Sequence, residues 1–406
     1  MEKTQLVELN NTLLNAKKNI NYYKNIIKTD SNDMVLNFLE LPIVNKTTMK
    51  HSITDFVSDN IKCNELEKAL CLKKDYSREY TYNINNITVI GEYTSGTRGI
   101  PFLSLKTLGE RIKMGSNMWK VRNKFSKVCP RMMFNFIHNY GCDMNPFPFP
   151  RTDNPKMIKK EIEFLSKSDY SWWHITSSKL CKYMNYLREN PTEFKNLSVI
   201  ENTGAYMSDE EKYIFSKFFN CRIADNYGCR ELWMVAYSNS KGYLQINDES
   251  IYFELVDDYG NVIHEPYVEG NVVLTSLKQK IMPFIRYSVG DRAMYINSVD
   301  DKDTYIKINP NRSKIIGTEL YGNKLFKNVV LQLPLKHGIS EFSEITVDQK
   351  EKDIFIVNIQ GYKGARERIE NAFRISAEYI LGKANYKYCF TYDENKNRKS
   401  IFTVMQ

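Results

Sequence analysis

The sequence predicts an α/β fold in which a large N-terminal domain of layered sheets and helices precedes a small C-terminal α+β subdomain. From about residue 94 to about residue 200, helical stretches alternate with short apolar runs, which is typical of α/β layering. Residues 243–296 predict antiparallel strands with a hairpin turn at 257–261. After residues 309–312, the pattern of apolar residues changes to that of a short strand, a helix and a strand. We therefore predict one domain over residues 1–310 and a second over residues 311–406.

The individual elements follow from the spacing of apolar residues and from the turn residues between them. Helical periodicity covers residues 13–27, 55–72, 105–125 and 156–165. Apolar, β-branched runs predict strands at residues 87–90, 132–137, 197–203 and 221–227. The last two strands end at Gly204 and Gly228. Each is therefore followed by a turn at one edge of a sheet, where α/β folds usually bind their ligands.

The composition indicates a globular chain with a basic surface. Its 406 residues are 42% hydrophobic and 26% charged, so the chain can bury a substantial core. The formal net charge of +9 is spread over separate lysine-rich segments without an aromatic-interleaved basic motif. This distribution favours a solvated surface, an anionic substrate, coenzyme A or an acidic carrier protein, and it disfavours nucleic acid.

Membrane insertion, secretion, structural zinc and disulfides are all disfavoured by the sequence. No apolar run reaches the roughly 18 residues that span a bilayer, and the N-terminus lacks a basic segment followed by an apolar core. The eight cysteines include no C-x-x-C pair. We therefore expect a cytoplasmic protein that has no membrane partner.

The most informative segment is a loop rich in hydroxyl groups and glycine, at residues 93–101, directly after the strand predicted at 87–90. Glycine lets the backbone turn with positive φ and approach an anion closely, while hydroxyl groups and an arginine donate to its oxygens. The residues concerned are Thr94, Ser95, Gly96, Thr97, Arg98 and Gly99. They predict a polyphosphate site. An ordinary surface turn fits the composition equally well, and the Walker pattern G-x-x-x-x-G-K-[ST] is absent.

Two further segments of unusual composition lie at residues 225–231 and 283–291, and they read D-N-Y-G-C-R-E and P-F-I-R-Y-S-V-G-D. With the loop at 93–101 they resemble the T-S-G-[ST]-[ST]-G-x-P, Y-G-x-x-E and R-Y-x-x-G-D motifs of the adenylate-forming superfamily, in the same order and at comparable separations. Three ordered matches are far more specific than any one of them.

A closer resemblance is to the phenylacetate–coenzyme A ligase and capsular-polysaccharide branch of this superfamily, from about residue 40 to about residue 330. Residues 41–46, 175–180 and 270–277 resemble its L-P-x-x-x-K, P-S-x-L and G-x-x-x-x-T-S-L segments. The resemblance implies a ligase that uses ATP and Mg²⁺ to activate a small-molecule carboxylic acid as an acyl-adenylate. The acyl group would then pass to the thiol of coenzyme A or a carrier protein, or to an amine. A mobile C-terminal subdomain, hinged near Arg312, is also implied.

The resemblance also implies roles for individual residues. Those that would cradle the phosphates are Thr94, Ser95, Gly96, Thr97 and Gly99. Glu231 would bind Mg²⁺, and it is the one metal ligand expected. Tyr227, followed by Gly228, would pack beside adenine, and Asp291 would accept hydrogen bonds from both ribose hydroxyls. The further nucleotide-binding candidates are Gly204, Arg286 and Arg312. For each arginine a structural ion pair remains the alternative, and Arg230 is expected to form such a pair with Glu231.

The cationic residues depart from the superfamily pattern at two places. Phe102 stands where many members have a lysine, so Arg98 is the cation that remains in the phosphate loop. The lysine that enters the site during adenylation, normally as Gly-Lys near the chain end, has no direct equivalent. Lys399 is the first candidate for this role and Lys396 the second. A solvated basic tail is an equal alternative for either lysine.

The acyl substrate is expected among aromatic and apolar side chains, which would suit an aryl or other planar acid. The candidate residues are His138, Ala205, Tyr206 and Trp233. Because the chain has 27 tyrosines and 21 phenylalanines, an aromatic lining also follows from composition alone. The departures at Phe102 and in the lysine segment motivate a second hypothesis, a nucleotide-binding protein that has kept the fold and lost turnover.

Overall fold

The structure is a computed structural model of the chain, and it describes residues 3–28, 37–61, 79–93, 103–124, 132–134, 155–204, 206–239, 241–299, 301, 303–309, 323–339, 342, 344–351, 354–381, 386–393 and 402–403. The helices are α1 (Lys3–Asn19), α2 (Asn21–Lys24), α3 (Lys46–His51), α4 (Leu108–Asn123), α5 (Pro155–Lys167), α6 (Ser177–Glu189), α7 (Asp209–Phe219), α8 (Asn323–His337) and α9 (Arg366–Leu381).

The strands are β1 (Val44–Asn45), β2 (Glu79–Ile84), β3 (Ile87–Tyr93), β4 (Leu103–Thr107), β5 (Met132–Phe134), β6 (Trp172–Ile175), β7 (Val199–Thr203), β8 (Arg222–Cys229), β9 (Trp233–Ser238), β10 (Leu244–Ile246), β11 (Ile251–Val256), β12 (Val262–Ile263), β13 (Glu269–Ser276), β14 (Tyr287–Tyr295), β15 (Tyr305–Asn309), β16 (Glu344–Glu351), β17 (Ile354–Gln360), β18 (Lys387–Asp393) and β19 (Phe402–Thr403). This mixture of helices and sheets confirms the predicted α/β class.

The chain forms two compact units. The first comprises Met1–Cys129, His138–Tyr140 and Asn226–Asn309, and the second comprises Pro130–Ile137, Gly141–Asp225 and Pro310–Gln406. Strand β8 therefore belongs to both units. The chain passes between units after Asn309, close to the predicted boundary, but the units differ from the predicted ranges because residues 141–225 group with the C-terminal segment. A separate, mobile subdomain over 311–406 stays a prediction.

The first unit contains a mostly antiparallel sheet, in which the strand order is β12, β11, β13, β14, β15, β10, β9 and β8. Strand β1 adds to the start of β14 in parallel, and β2, β3 and β4 form a separate antiparallel sheet. The predicted hairpin turn is confirmed, since Asp257 accepts hydrogen bonds from the backbone N–H groups of Tyr259 and Asn261. Gly260 has a φ of +91° there, a conformation that favours glycine.

The second unit contains the parallel strands β5, β6 and β7. Large side chains from these strands and from α6 and α7, among them Trp173, Tyr183 and Phe215, form its core. Helix α7 begins with a capping box, because the Ser208 hydroxyl accepts from the Glu211 N–H and the Glu211 carboxylate accepts from the Ser208 N–H.

The segment from α8 to β19, also in the second unit, has its own sheet in the order β18, β17, β16 and β19. Its core includes Phe326, Phe355 and Phe373, which come from α8, β17 and α9. Polar contacts join this segment to α7. Lys336 and the Tyr379 hydroxyl both donate to Glu210 Oε2, at 2.8 and 2.6 Å.

Candidate functional site

Two of the predicted nucleotide-binding residues meet in the first unit. Tyr227 lies on β8 and Asp291 on β14, and the Tyr227 hydroxyl donates to Asp291 Oδ2 at 2.9 Å. Asp291 is 1% exposed, whereas Tyr227 is half-buried. A carboxylate that a phenol holds in place in this way is suited to accept hydrogen bonds from two neighbouring hydroxyl groups of a ligand.

An irregularity in β14 gives Asp291 this position. The β13–β14 ladder pairs Val273 with Ser288 and then Asn271 with Arg292, so β14 has more residues than β13 between these pairs. The additional residues include Asp291 and Gly290, which has a φ of +76°. A bulge of this kind turns side chains out of the regular pleat, and bulges are frequent beside active sites.

Glu231, the predicted magnesium ligand, lies in the turn between β8 and β9. Its side-chain Oε1 accepts a hydrogen bond from the Tyr287 hydroxyl at 3.0 Å, and its backbone carbonyl accepts one from Gln279 Nε2 at 2.9 Å. Tyr287 lies on β14, the strand that also contains Asp291. The Y-G-x-x-E and R-Y-x-x-G-D segments therefore meet through Tyr287 and Glu231 as well as through Tyr227 and Asp291.

The turn that carries Glu231 requires glycine at one position and stores strain at another. A Cβ on Gly228 would lie 1.8 Å from the carbonyl oxygen of Trp233, so no larger residue fits without movement of the backbone. Trp233 has a φ of +60°, which costs a residue with a Cβ about 1–2 kcal/mol. Such a conformation persists only where surrounding contacts hold it.

A buried group of charges lies beside this turn. Glu92 on β3 and Lys106 on β4 have fully buried side chains, and Lys106 Nζ is 3.0 Å from Glu92 Oε2. The same carboxylate oxygen accepts from Trp233 Nε1 at 3.1 Å, and Arg111 lies 3.5 Å from Glu92 Oε1. Burial acts to raise the pKa of Glu92, but the charges of Lys106 and Arg111 outweigh it and hold that pKa below its ordinary value of 4.5.

This depressed pKa predicts a loss of stability in acid. Glu92 stays ionised in the folded protein below pH 4.5, where it is protonated in the unfolded chain. Its contribution to the free energy of unfolding is therefore present above pH 4.5 and decreases as the pH falls through the folded-state pKa. We expect Glu92→Gln to lower stability by about 1–3 kcal/mol at pH 7, because Lys106 keeps its charge without a counter-ion.

Urea unfolding at a series of pH values measures this effect. The wild-type protein should lose more stability than Glu92→Gln between pH 5 and the acid limit of folding. Parallel curves for the two proteins would show that Glu92 does not contribute to acid unfolding.

Lys46 is a cation near Glu231 that was not among the predicted site residues. It follows β1, whose Val44 and Asn45 pair in register with Tyr287 and Ser288 of β14, and it begins α3. Burial lowers the pKa of Lys46, while the negative charge of Glu231 acts in the opposite direction. The signal for this residue was present in the sequence, because Lys46 is the lysine of the L-P-x-x-x-K segment.

Arg286, a predicted nucleotide contact, is 3% exposed. Its guanidinium donates to the backbone carbonyl oxygens of Leu39 and, at 2.8 Å, Leu41, and it lies 3.1 Å from Glu254 Oε1. Glu254 is itself buried. These contacts favour the ion-pair alternative for Arg286, although the pair is buried and not on the surface. A nucleotide contact of Arg286 stays a prediction.

In the second unit, Gly204 and Tyr206 follow β7. Gly204 is exposed and has a φ of +74°, as expected of a glycine at a strand-to-loop turn. Tyr206 is half-buried, and burial raises the pKa of its hydroxyl. Their predicted roles toward nucleotide and acid stay predictions.

Several polar side chains near the carboxyl ends of β6 and β7 were not predicted from the sequence. Asp225 accepts a hydrogen bond from Asn202 at 2.8 Å and pairs with Lys212 at 2.6 Å. His174 Nδ1 lies 2.8 Å from Glu201 Oε1, and the Glu201 side chain is fully buried. Ligands of α/β proteins bind at this edge of a parallel sheet, so these side chains are the polar candidates for ligand binding in the second unit.

The remaining predicted site residues lie outside the part of the chain that the structure describes. They are Thr94, Ser95, Gly96, Thr97, Arg98, Gly99, His138, Ala205, Arg312 and Lys399, together with the alternative Lys396. Tyr93, the last described residue before the phosphate loop, ends β3, so the predicted order of strand and loop holds up to that residue.

The described residues contain a small cavity next to Trp233, lined in part by Met114, Met118 and Gln279. Its volume is about 10 Å³, which is room for one water molecule and not for a carboxylic acid substrate. Trp233 itself directs its indole N–H toward Glu92. Its predicted contact with the acid stays a prediction.

Among the residues that the structure describes, no three or more His, Cys, Asp or Glu side chains are grouped so as to hold a metal ion. None of the described helices has the length and apolar character that crossing a bilayer requires.

Comparison with solved structures identifies the fold. A 2-hydroxyisobutyryl-CoA ligase in the postadenylation state, in complex with 2-HIB-AMP, superposes with a TM-score of 0.67 at 15% identity, covering 99% of this chain and 88% of that one. An anthranilate-CoA ligase in complex with anthranoyl-AMP gives a TM-score of 0.52 at 14% identity, with coverages of 77% and 65%. O-succinylbenzoate-CoA synthetase from Bacillus subtilis, in complex with ATP and magnesium, gives 0.50 at 15% identity, with coverages of 76% and 67%.

The chain therefore has the adenylate-forming ligase fold, as the three ordered motifs predicted. No protein-family model matches the sequence, and no curated protein matches it. At these identities the structural likeness establishes the fold alone.

Proposed function

We propose that this protein uses ATP to activate a carboxylic acid as an acyl-adenylate and then transfers the acyl group to the thiol of coenzyme A. The observation that supports this most directly is that hydrogen bonds join the motif at residues 227–231 to the motif at residues 286–291. Asp291 is held by Tyr227, and Glu231 is held by Tyr287. Each bond holds a carboxylate in a fixed orientation, which suits it to bind ribose hydroxyls or Mg²⁺.

Each residue has a defined task in this proposal. Asp291 accepts the ribose hydroxyls, and the Tyr227 ring packs beside the base while its hydroxyl fixes Asp291. Glu231 binds Mg²⁺, and Lys46 adds positive charge near the phosphates. The side chains fit the metal, because Mg²⁺ prefers oxygen ligands and is usually bound by one or two carboxylates together with substrate phosphates. When bound, Mg²⁺ neutralises phosphate charge as the acid's carboxylate approaches.

The residues outside the described ranges complete the proposed site. The hydroxyl and glycine residues of the loop at 94–99 cradle the β- and γ-phosphates, and Arg98 supplies the charge that many relatives place on lysine. For the acid we propose an aryl or other planar compound, and His138, Ala205, Tyr206 and Trp233 remain its proposed contacts. A carrier-protein thiol or an amine is the alternative acceptor.

ATP–pyrophosphate exchange over a panel of acids tests the proposal. The panel contains phenylacetate, anthranilate, 2-hydroxyisobutyrate and acetate, each with and without Mg²⁺. Exchange that requires both an acid and Mg²⁺ supports acid activation, and formation of a coenzyme A thioester identifies the acceptor. Binding of ATP without exchange on any acid would favour the alternative of a nucleotide-binding protein that has lost turnover.

A pair of substitutions tests the proposed adenylation lysine. Lys399→Ala should slow formation of the acyl-adenylate and leave transfer from a supplied adenylate unchanged, because a lysine on a moving subdomain acts in only one half-reaction. Pyrophosphate exchange and acyl transfer are measured side by side, with Lys396→Ala as the matched control. If neither substitution slows exchange, the segment is solvated surface and Arg98 becomes the main cationic candidate.

A further inference from the structure

A fully buried lysine is unusual, because the charged group loses its hydration unless it is paired. Lys106 is such a residue, with 0% of its side chain exposed. It has three acceptors: Glu92 Oε2 at 3.0 Å, the Ser104 hydroxyl at 3.0 Å and the backbone carbonyl of Arg230 at 3.2 Å. The third acceptor is the residue immediately before Glu231.

Glu92 holds the same turn on its other side. Its Oε2 accepts the indole N–H of Trp233, two residues after Glu231, at 3.1 Å. The Lys106 ammonium and the Arg111 guanidinium also lie 5.9 and 5.4 Å from the centre of the Trp233 ring, within reach of cation–π attraction. One member of the buried ion pair therefore holds the backbone just before Glu231, and the other holds the side chain of Trp233 just after it.

The strain in the turn indicates that these contacts are needed. Trp233 adopts a φ of +60°, and Gly228 leaves just enough room for the Trp233 carbonyl. Without the hydrogen bond from its indole to Glu92, Trp233 would lose one of the contacts that hold it in this conformation, and the carboxylate of Glu231 would shift with it. Charge-assisted bonds from a buried, rigid pair resist this shift better than neutral ones.

We propose that the buried Glu92–Lys106 pair is a positioning device for Glu231, which sets where its carboxylate meets Mg²⁺ and ATP. The inference rests on the proposed function, since it takes Glu231 as the magnesium ligand. Neither Glu92 nor Lys106 contacts the metal in this scheme. Lys106 acts through the backbone carbonyl of Arg230 and Glu92 through the indole of Trp233, as outer residues do when they orient a metal ligand.

The test measures ATP binding by calorimetry at increasing Mg²⁺ and in EDTA, beside the melting temperature of each variant. For Lys106→Met and Glu92→Gln we expect the half-saturating Mg²⁺ concentration to rise by about tenfold or more, as for loss of an outer-shell partner. Affinity for ATP in EDTA should change by less than about twofold, because the ribose and base contacts remain.

A double variant separates positioning from stability. Glu92→Gln combined with Lys106→Met leaves neither member of the pair charged, so its melting temperature should recover toward that of the wild type. The donor to the Arg230 carbonyl is still missing, so the raised Mg²⁺ requirement should remain. If the Mg²⁺ requirement recovers together with the melting temperature, or stays at the wild-type value in a folded Lys106→Met protein, the inference is overturned.

Glu161→Gln is the matched control. Glu161 in the second unit is also buried, pairs with a lysine at 2.6 Å and accepts a hydrogen bond from the aromatic residue Tyr183 at 2.9 Å. This variant should lose stability as Glu92→Gln does, with an unchanged Mg²⁺ requirement. If the wild-type protein binds no ATP at any Mg²⁺ concentration, the proposed function fails and the inference fails with it. If it binds ATP and Glu231→Gln has a normal Mg²⁺ requirement, only the assignment of Glu231 and the inference fail.

Discussion

Glu231→Gln should reduce acid-dependent pyrophosphate exchange by roughly 10²-fold or more, which corresponds to about 2.7 kcal/mol or more of lost transition-state stabilisation. A neutral amide binds Mg²⁺ and its attached phosphates more weakly than a carboxylate does. The amide oxygen can still accept the bond from the Tyr287 hydroxyl, which joins the two side chains at 3.0 Å, so we expect the turn to keep its structure. The loss should be partly reversed at high Mg²⁺.

Tyr287→Phe is the matched control for this variant. It removes the hydrogen bond to Glu231 and keeps the carboxylate, so it should lower exchange much less than Glu231→Gln. Circular dichroism and melting temperature report whether each variant is folded. Equal loss of exchange and of folded protein in Glu231→Gln would favour a structural role for this carboxylate, including the ion pair with Arg230 predicted as the alternative.

Asp291→Ala should weaken ATP binding by about 3–6 kcal/mol, because it removes two charge-assisted hydrogen bonds to ribose of about 1.5–3 kcal/mol each. That is a loss of roughly 10²–10⁴-fold in affinity. Isothermal titration with ATP and Mg²⁺ measures it directly. The effect should be the same for AMP, since the ribose is common to both ligands, whereas the effect of Glu231→Gln should be smaller for AMP.

Two milder substitutions identify the origin of this effect. Tyr227→Phe removes the 2.9 Å hydrogen bond to Asp291 and keeps the ring, so it should cost about 1 kcal/mol in ATP affinity. Asp291→Asn keeps one acceptor oxygen without the charge and should lie between wild type and Asp291→Ala. A folded Asp291→Ala protein with unchanged ATP affinity would show that this carboxylate does not bind ribose.

The α/β class, the antiparallel region at 243–296 and its hairpin turn could be predicted because they depend on local signals. Apolar periodicity and turn residues such as Asp257 and Gly260 act through neighbours in the chain. The fold could be predicted from three short motifs, because their order and separations resemble those of the adenylate-forming superfamily. The division of the chain into its two compact units could not be predicted from local signals, because it depends on which distant segments pack together.

The chemistry of the candidate residues was likewise present in the sequence, but their burial and partners were not. Tyr227 and Asp291 are 64 residues apart, and Tyr287 and Glu231 are 56 apart, so only the tertiary fold brings each pair together. The bulge that presents Asp291 is a property of the ladder between β13 and β14 and of neither strand alone.

By itself the sequence determined the types of group available for binding a nucleotide, because residue identity fixes charge and hydrogen-bonding capacity. The tertiary structure decided which of these groups are buried. Lys106 lies inside with Glu92, although lysine is usually exposed, and Arg286 is held by Glu254 and by backbone carbonyls. A charge becomes buried only where distant segments supply counter-ions and acceptors that replace water, and a linear pattern does not contain that information.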